Sequence, residues 1–377
     1  MSFIYLDNAA TAYPKSDYVL GAVISAFKQC GNGGRGGHSL SVKATETVFA
    51  CRVALASLFG TEPERVVLTC GATAALNIAI KGLAPERGGV LCSVLEHNAV
   101  LRPLYTLEGV RLDFFAPSFS SQKQSLKNAV SAIKEDTRLA VITAASNVCG
   151  MRLPVKEICA ECRRRGIVTV LDCAQTAGHI SVDIRELGAD LICLPAHKGL
   201  GGPAGMGALI VHPDSRLRFR TLIEGGTGEA ARDRYMPPYL PERLEAGSCN
   251  ILGIAGLAAA CEELSLDPER EERLRRMTVE GLRSLDGVQV YGADSDGGYA
   301  PLVAFNITSV PSDRATELLE QRGILLRGGL HCAPLAHAAL GTGRYGCLRA
   351  SFGKSNSAED AEALVDAVRA LLKQNTF

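Results

Sequence analysis

Between residues 65 and 211 the chain repeats one pattern. A short run of apolar, often β-branched residues is followed by a longer stretch with helical spacing. The apolar runs fall at 65–69, 89–94, 110–115, 138–144, 167–172, 190–194 and 206–211. Helical stretches at 72–82, 98–107, 125–134 and 155–165 lie between several of them. This alternation predicts an α/β fold, with a mostly parallel seven-stranded sheet covered by helices. The runs carry few polar residues, as expected of strands covered on both faces. After residue 225 the pattern changes. Gly225-Gly226-Thr227-Gly228 and Met236-Pro237-Pro238-Tyr239 predict an irregular loop. A helical stretch then runs from about 251 to 285, with a break at Asp267-Pro268. Strands near 288–291 and 302–307 and helices near 314–322 and 358–373 predict a smaller α+β domain. The expected division is 16–245 as the large domain, and 1–15 with 246–377 as the small one.

Composition narrows the class. The 377 residues are 47% hydrophobic and 21% charged, which predicts an ordered globular chain. Lysine plus arginine equals aspartate plus glutamate, 40 against 40, so nothing points to nucleic acid or an anionic membrane as partner. No apolar run is long enough for a membrane span. The first residues place no basic region before an apolar stretch, so no secretory leader is expected. Thirteen cysteines are scattered along the chain, an odd number in a protein too long to need a disulfide framework. They are expected to be mostly reduced and buried, as in a cytoplasmic protein.

In open parallel sheets ligands bind beyond the carboxyl ends of strands. There the chain places Cys70-Gly71-Ala72-Thr73, Glu96-His97-Asn98, Ser146-Asn147, Asp172-Cys173-Ala174-Gln175 and Ala196-His197-Lys198. Each has a plain structural reading. Thr73 and Asp172 suit helix caps, Ser146-Asn147 suits a turn, His97 suits a satisfied polar side chain, and most lysines are solvated. A lysine at one strand end with an aspartate at another also suits pyridoxal phosphate (PLP). That cofactor needs an amine for its Schiff base and an acid for its ring nitrogen.

As a set, these segments resemble the class V aminotransferase-fold PLP enzymes, specifically the cysteine desulfurase and selenocysteine lyase group. The resemblance extends to Tyr5-Leu6-Asp7-Asn8-Ala9-Ala10-Thr11, Glu245-Ala246-Gly247-Ser248, Arg327-Gly328-Gly329-Leu330-His331-Cys332-Ala333-Pro334 and Leu348-Arg349-Ala350-Ser351, and so covers nearly the whole chain. It implies the PLP-dependent transferase fold of type I. It also implies that Lys198 binds PLP covalently and moves the Cα proton, and that Asp172 pairs with the ring nitrogen. His97 would stack on the ring and assist proton transfer as a catalytic residue, and Gln175 and Asn147 lie at the ring hydroxyl. Ala72, Thr73, His197 and, from a second subunit, Ser248 would serve the phosphate. Arg349 would clamp the substrate carboxylate, with Asn147, Arg327, His38 and Asn8 nearby. Cys332, on a short loop, would be the nucleophile that takes sulfur from L-cysteine and leaves alanine. A homodimer follows, as does a sulfur-acceptor protein or small thiol, with iron–sulfur clusters or other thio-cofactors as destinations. Selenocysteine lyase, a transaminase or another β-lyase stay open on the same fold; the alternative of another class is a PLP-free scaffold that docks sulfur-transfer partners, against which the intact Lys198, Asp172, Arg349 and Cys332 set argues.

Two positions depart from the family pattern. Pro195 stands where a serine or threonine is usual, which removes a phosphate donor, and Ser248 stands where threonine is usual. Cys159-Ala160-Glu161-Cys162 lies in a helical stretch with no second such pair nearby, so packing is expected and no metal site. The glycine-rich segment 31–38 lacks the Gly-Lys-Ser/Thr ending of a P-loop. Gly199-Leu200-Gly201-Gly202 leads into a strand, which argues against a dinucleotide fingerprint.

Overall fold

The computed structural model describes residues 3–33, 36–229, 232–308 and 310–373. Gly34 and Arg35 of the glycine-rich segment lie outside the described residues. The apolar runs form one seven-stranded sheet. Its spatial order is Val66–Thr69, Gly207–Val211, Leu191–Pro195, Val168–Asp172, Thr137–Thr143, Gly88–Ser93 and Val110–Phe115. Gly207–Val211 alone runs against its neighbours. The turn at 199–206 therefore returns directly to a strand, as its sequence predicts. Helices cover both faces, and nearly every residue of the inner strands is buried. Register aligns the strand ends that matter. Asp172 pairs with Thr143, so two carboxyl ends finish level, and with Cys193 on the other side, where the strand runs on to Pro195.

A second core forms around the antiparallel sheet Leu348–Ser351, Leu302–Ile307 and Val288–Tyr291, covered by the helices Pro268–Arg283 and Ala358–Lys373. Leu6 is buried in this core. The Ser351 amide donates to the Leu6 carbonyl at 2.7 Å, and Ile4–Tyr5 pairs in parallel with Ile324–Leu325. The N-terminal segment thus sits with the C-terminal part of the chain. The helix Ile251–Glu262 does not. It packs on Asp17–Gln29 and Ser39–Phe59, and Ile254, Leu257 and Ala258 join the core of the large sheet. Its small residues permit this, since a side chain at Gly256 would lie 2.5 Å from Pro203 and 2.8 Å from Val23. The two cores meet where His179 Nδ1 lies 3.1 Å from both carboxylate oxygens of Glu271. Among the described residues no helix is long and apolar enough to cross a membrane.

Candidate active site

A cavity of about 340 Å³ opens beyond the aligned strand ends. Thr73, His97, Asn147, Asp172, Gln175, His197, Lys198, Arg327, Cys332 and Arg349 all line it, so ten side chains singled out in the sequence meet in one place. Ala72 and Pro195 line it as well.

Asp172 ends its strand with a buried carboxyl whose Oδ1 accepts from the Ala174 amide at 2.9 Å. Burial raises its pKa, while the Ala174 hydrogen bond and Lys198 oppose the shift. Lys198 follows the adjacent strand. Burial brings its amine down to about 8, with Asp172 opposing and Arg349 and Arg327 adding to the fall. The peptide before it is pinned. The His197 carbonyl accepts from Ala12 N at 2.8 Å, Thr11 Oγ1 at 3.1 Å and Lys15 Nζ at 2.9 Å. Lys15 is itself lowered to about 8 by burial.

His97 caps the helix Asn98–Tyr105, its Nδ1 accepting from Ala99 N at 3.0 Å. That bond leaves the proton of the neutral ring on Nε2. Burial and the cations Lys198, Arg349, Arg102 and Arg327 lower its pKa to about 4, so the ring is neutral at ordinary pH. His197 is lowered to about 4 by burial, Lys198 and Lys15. Behind His97, Glu96 is fully buried and joins two strand ends. Its Oε1 accepts from Ser93 Oγ at 2.6 Å and Thr143 N at 2.9 Å, while Oε2 has no partner among the described residues. Burial raises its pKa to about 8.

At the other end of the cavity the helix Ala72–Leu83 starts without a side-chain cap. Its first amides, Ala72 and Thr73, are the donors that a helix N-terminus leaves free for an anion. Gly71 before them has φ 139, which a side chain would strain, and nothing lies within 4 Å of its missing Cβ.

Arg349 lies on the strand Leu348–Ser351. Nη2 reaches Asp7 Oδ1 and Nη1 reaches the Asn147 carbonyl, each at 2.9 Å. Among the described residues Nε has no partner, nor has Asn147 Oδ1. These unpaired groups are suited to a polar ligand. The Cys332 loop folds against this strand. Gly329 and Cys347 exchange backbone bonds at 3.1 Å, Asn147 Nδ2 donates to the His331 carbonyl at 2.8 Å, and Asn98 N donates to the Cys332 carbonyl at 2.7 Å. His331 and Cys332 have φ 45 and 55, a left-handed conformation uncommon for side-chain-bearing residues and enriched at functional sites. Cys332 is exposed, whereas His331 is buried and lowered to about 3 by burial and Arg349.

Three predicted residues lie elsewhere. Asn8 is buried beside the cavity, with its amide bonded to the Ser351 carbonyl and Asn356 Oδ1. His38 is exposed and caps the helix Ser39–Phe59. Ser248 is exposed on a neighbouring, more open cavity of about 520 Å³. Gln175 Nε2 donates to the Ala9 carbonyl at 3.1 Å. Cys159 and Cys162 are fully buried, with pKa values pushed up by burial, in keeping with packing. One buried grouping has metal-type atoms, His331, His337 and Cys347, within 4.8 Å of one another. Thr11, Lys15, Glu96 and the Asp7 carboxylate escape sequence reasoning as site residues. Only the position of Asp7 and Thr11 in the opening motif, and of Glu96 beside His97, could have drawn attention to them.

The family described as Aminotransferase class-V matches residues 4–364. A probable cysteine desulfurase of Methanothermobacter thermautotrophicus is 32% identical over 96% of this chain and 92% of its own. A probable cysteine desulfurase of Pyrococcus abyssi is 30% identical over 98% and 94%. Among solved structures, the apo cysteine desulfurase of Thermococcus onnurineus NA1 superposes with a TM-score of 0.92 at 31% identity, covering 99% of this chain and 95% of that one.

Proposed function

The chain belongs to the class V aminotransferase family, and we propose that it is a PLP-dependent cysteine desulfurase that converts L-cysteine to L-alanine and stores the sulfur as a persulfide on Cys332. The observation that carries this reading is one cavity lined by Lys198, Asp172, Arg349 and an exposed, left-handed Cys332.

The residues fit the cofactor. The buried Asp172 carboxyl suits a ring nitrogen, and the free amides of Ala72 and Thr73 with the open space at Gly71 suit its phosphate. Lys198 would hold PLP covalently, His97 would cover one ring face, and Gln175 and Asn147 would stand at the ring hydroxyl. His197 and backbone amides would take over the phosphate contact that Pro195 cannot make. Bound there, PLP supplies an electron sink for the charge left at Cα when the substrate loses its proton.

The chain's own groups do the rest. Arg349 is held by Asp7 and Asn147 with Nε unpaired, and together with Arg327 it orients the substrate carboxylate. Lys198 Nζ, lowered to about 8, gains or loses a proton near neutral pH and serves the substrate Cα. The Cys332 thiolate attacks the substrate sulfur. A sulfur–sulfur bond forms as the carbon–sulfur bond breaks, the carbon takes up a proton, and alanine leaves.

A homodimer is part of the same reading. Ile24 and Phe27 on one helix and Phe49 and Val53 on the next are exposed apolar residues of the kind that mark an interface. Ser248 lines the open neighbouring cavity, where a second copy would bring its phosphate site. The test is alanine release from L-cysteine and L-selenocysteine by the wild type and Cys332→Ala. Alanine from cysteine, lost in the variant, supports a desulfurase. Alanine from selenocysteine alone favours the lyase, and pyruvate in place of alanine contradicts both.

A further inference from the structure

Cys332 has a second outlook. With Thr73, His97 and Ala99 it borders both the active-site cavity and a shallower cleft of about 340 Å³. The cleft lies between the helices Ala72–Leu83 and Asn98–Tyr105, and helical periodicity builds its walls. Thr73, Asn77 and Lys81 recur every fourth residue on the first helix, and Asn98, Arg102 and Thr106 do so along the second and its C-cap. Charge there has one sign. Lys81 and Arg102 line the cleft, and no carboxylate does. Neither cation is in an ion pair among the described residues. Arg102 is near enough to His97 to help lower its pKa. Both helices begin beside Cys332, and Lys81 and Arg102 stand in their last turns, toward the end of the cleft away from that sulfur. The volume suits a small molecule.

We propose that this cleft seats a small anionic thiol, one carrying carboxylates, that removes the sulfur from Cys332. The inference rests on the persulfide-forming reading above. The acceptor's thiolate attacks the outer sulfur of the Cys332 persulfide. One sulfur–sulfur bond forms to the acceptor and the one to Cys332 breaks. Cys332 leaves as a thiolate, and the acceptor carries the sulfur and its proton away as a new persulfide. The exchange is balanced without an oxidant or reductant. Lys81 and Arg102 raise the local concentration of the anionic acceptor and hold its carboxylates away from the attacking sulfur.

The test compares the PLP-loaded wild type with Lys81→Gln/Arg102→Gln in steady-state alanine release from L-cysteine. Three acceptors are used: 2-mercaptosuccinate (anionic), 2-mercaptoethanol (neutral) and cysteamine (cationic). The ratio of wild type to variant for each thiol cancels the intrinsic reactivity of that thiol. The expected ratio is about tenfold for mercaptosuccinate, shrinking with added salt, close to one for mercaptoethanol and below one for cysteamine. Lys81→Glu alone should lower the mercaptosuccinate rate further than Lys81→Gln alone. One ratio for all three thiols overturns the proposal and leaves sulfur removal to a protein acceptor or to solution thiol. The alanine formed in a single turnover without added thiol separates the two readings. It should be equal in wild type and variant, and its absence from both would overturn the desulfurase reading itself, and the cleft assignment with it.

Discussion

The two sides of the cavity are built in opposite ways. One side is built on strand ends: Asp172 in register with Thr143, the Thr143–Glu96 junction, and the hydrogen-bonded His197-Lys198 peptide just beyond its strand. The other is a loop that turns twice through left-handed conformation to leave Cys332 exposed. The first side suits groups that must not move, because charges are tuned there by burial. The second suits a nucleophile that must first meet a bound substrate and then an acceptor from outside. The loop is still not free. Hydrogen bonds from Asn147, Asn98 and Cys347 fix its backbone, so access comes from placement rather than from slack.

Removing one group from each side should separate the two functions most sharply. Lys198→Ala should lose both the visible band of bound PLP and about 10²–10⁴ of the rate. Cys332→Ala should keep the band and lose alanine release from cysteine. Absorbance and alanine assays on the pair check this, and a Cys332 variant without the band would break the contrast.

A smaller effect joins the sides. Asp7 holds Arg349 from the N-terminal segment at 2.9 Å. Asp7→Asn should raise KM for cysteine about tenfold and change kcat little, because it loosens a binding group and leaves the reacting atoms in place. Steady-state kinetics give the split.

Glu96 sharpens the buried side by pH. Its folded pKa of about 8 lies above the ordinary 4.5, so the stability it contributes is complete below about pH 4.5 and is lost as pH rises toward 8. Glu96→Gln removes that titration. Its stability relative to wild type should therefore climb between about pH 4.5 and 8, by at most about 1.4 kcal/mol per pH unit. Denaturant melts across that range read it.

The smallest effect is expected at His38. His38→Ala should cost a helix cap of about 0.5–2 kcal/mol and leave single-turnover alanine formation intact.

Much of this was legible in the sequence because strands covered on both faces advertise themselves. Each of the seven apolar runs of the large sheet lies within one residue of its strand, and ten cavity side chains follow from strand ends or from the family motifs. What escaped has physical causes. The helices Asp17–Gln29 and Ser39–Phe59 spread apolar residues over their exposed faces as well as their buried ones, so they lack the one-sided stripe that marks a helix. Ile251–Glu262 lies beyond the expected boundary at 245 yet joins the core of the large sheet, because its alanines and glycines give no sign of which core they will enter. Lys15 acts through a backbone carbonyl far along the chain, a contact that no local pattern encodes.

The central claim is that sulfur passes to Cys332. Three described cysteines are exposed, Cys70, Cys249 and Cys332, and two of them, Cys70 and Cys332, line the cavity. Peptide mass mapping after one turnover with L-cysteine, without added thiol, distinguishes them directly. The account predicts one extra sulfur atom on the peptide containing Cys332 and none elsewhere. Extra sulfur on the Cys70 peptide, or alanine formed with no protein-bound sulfur, would contradict it.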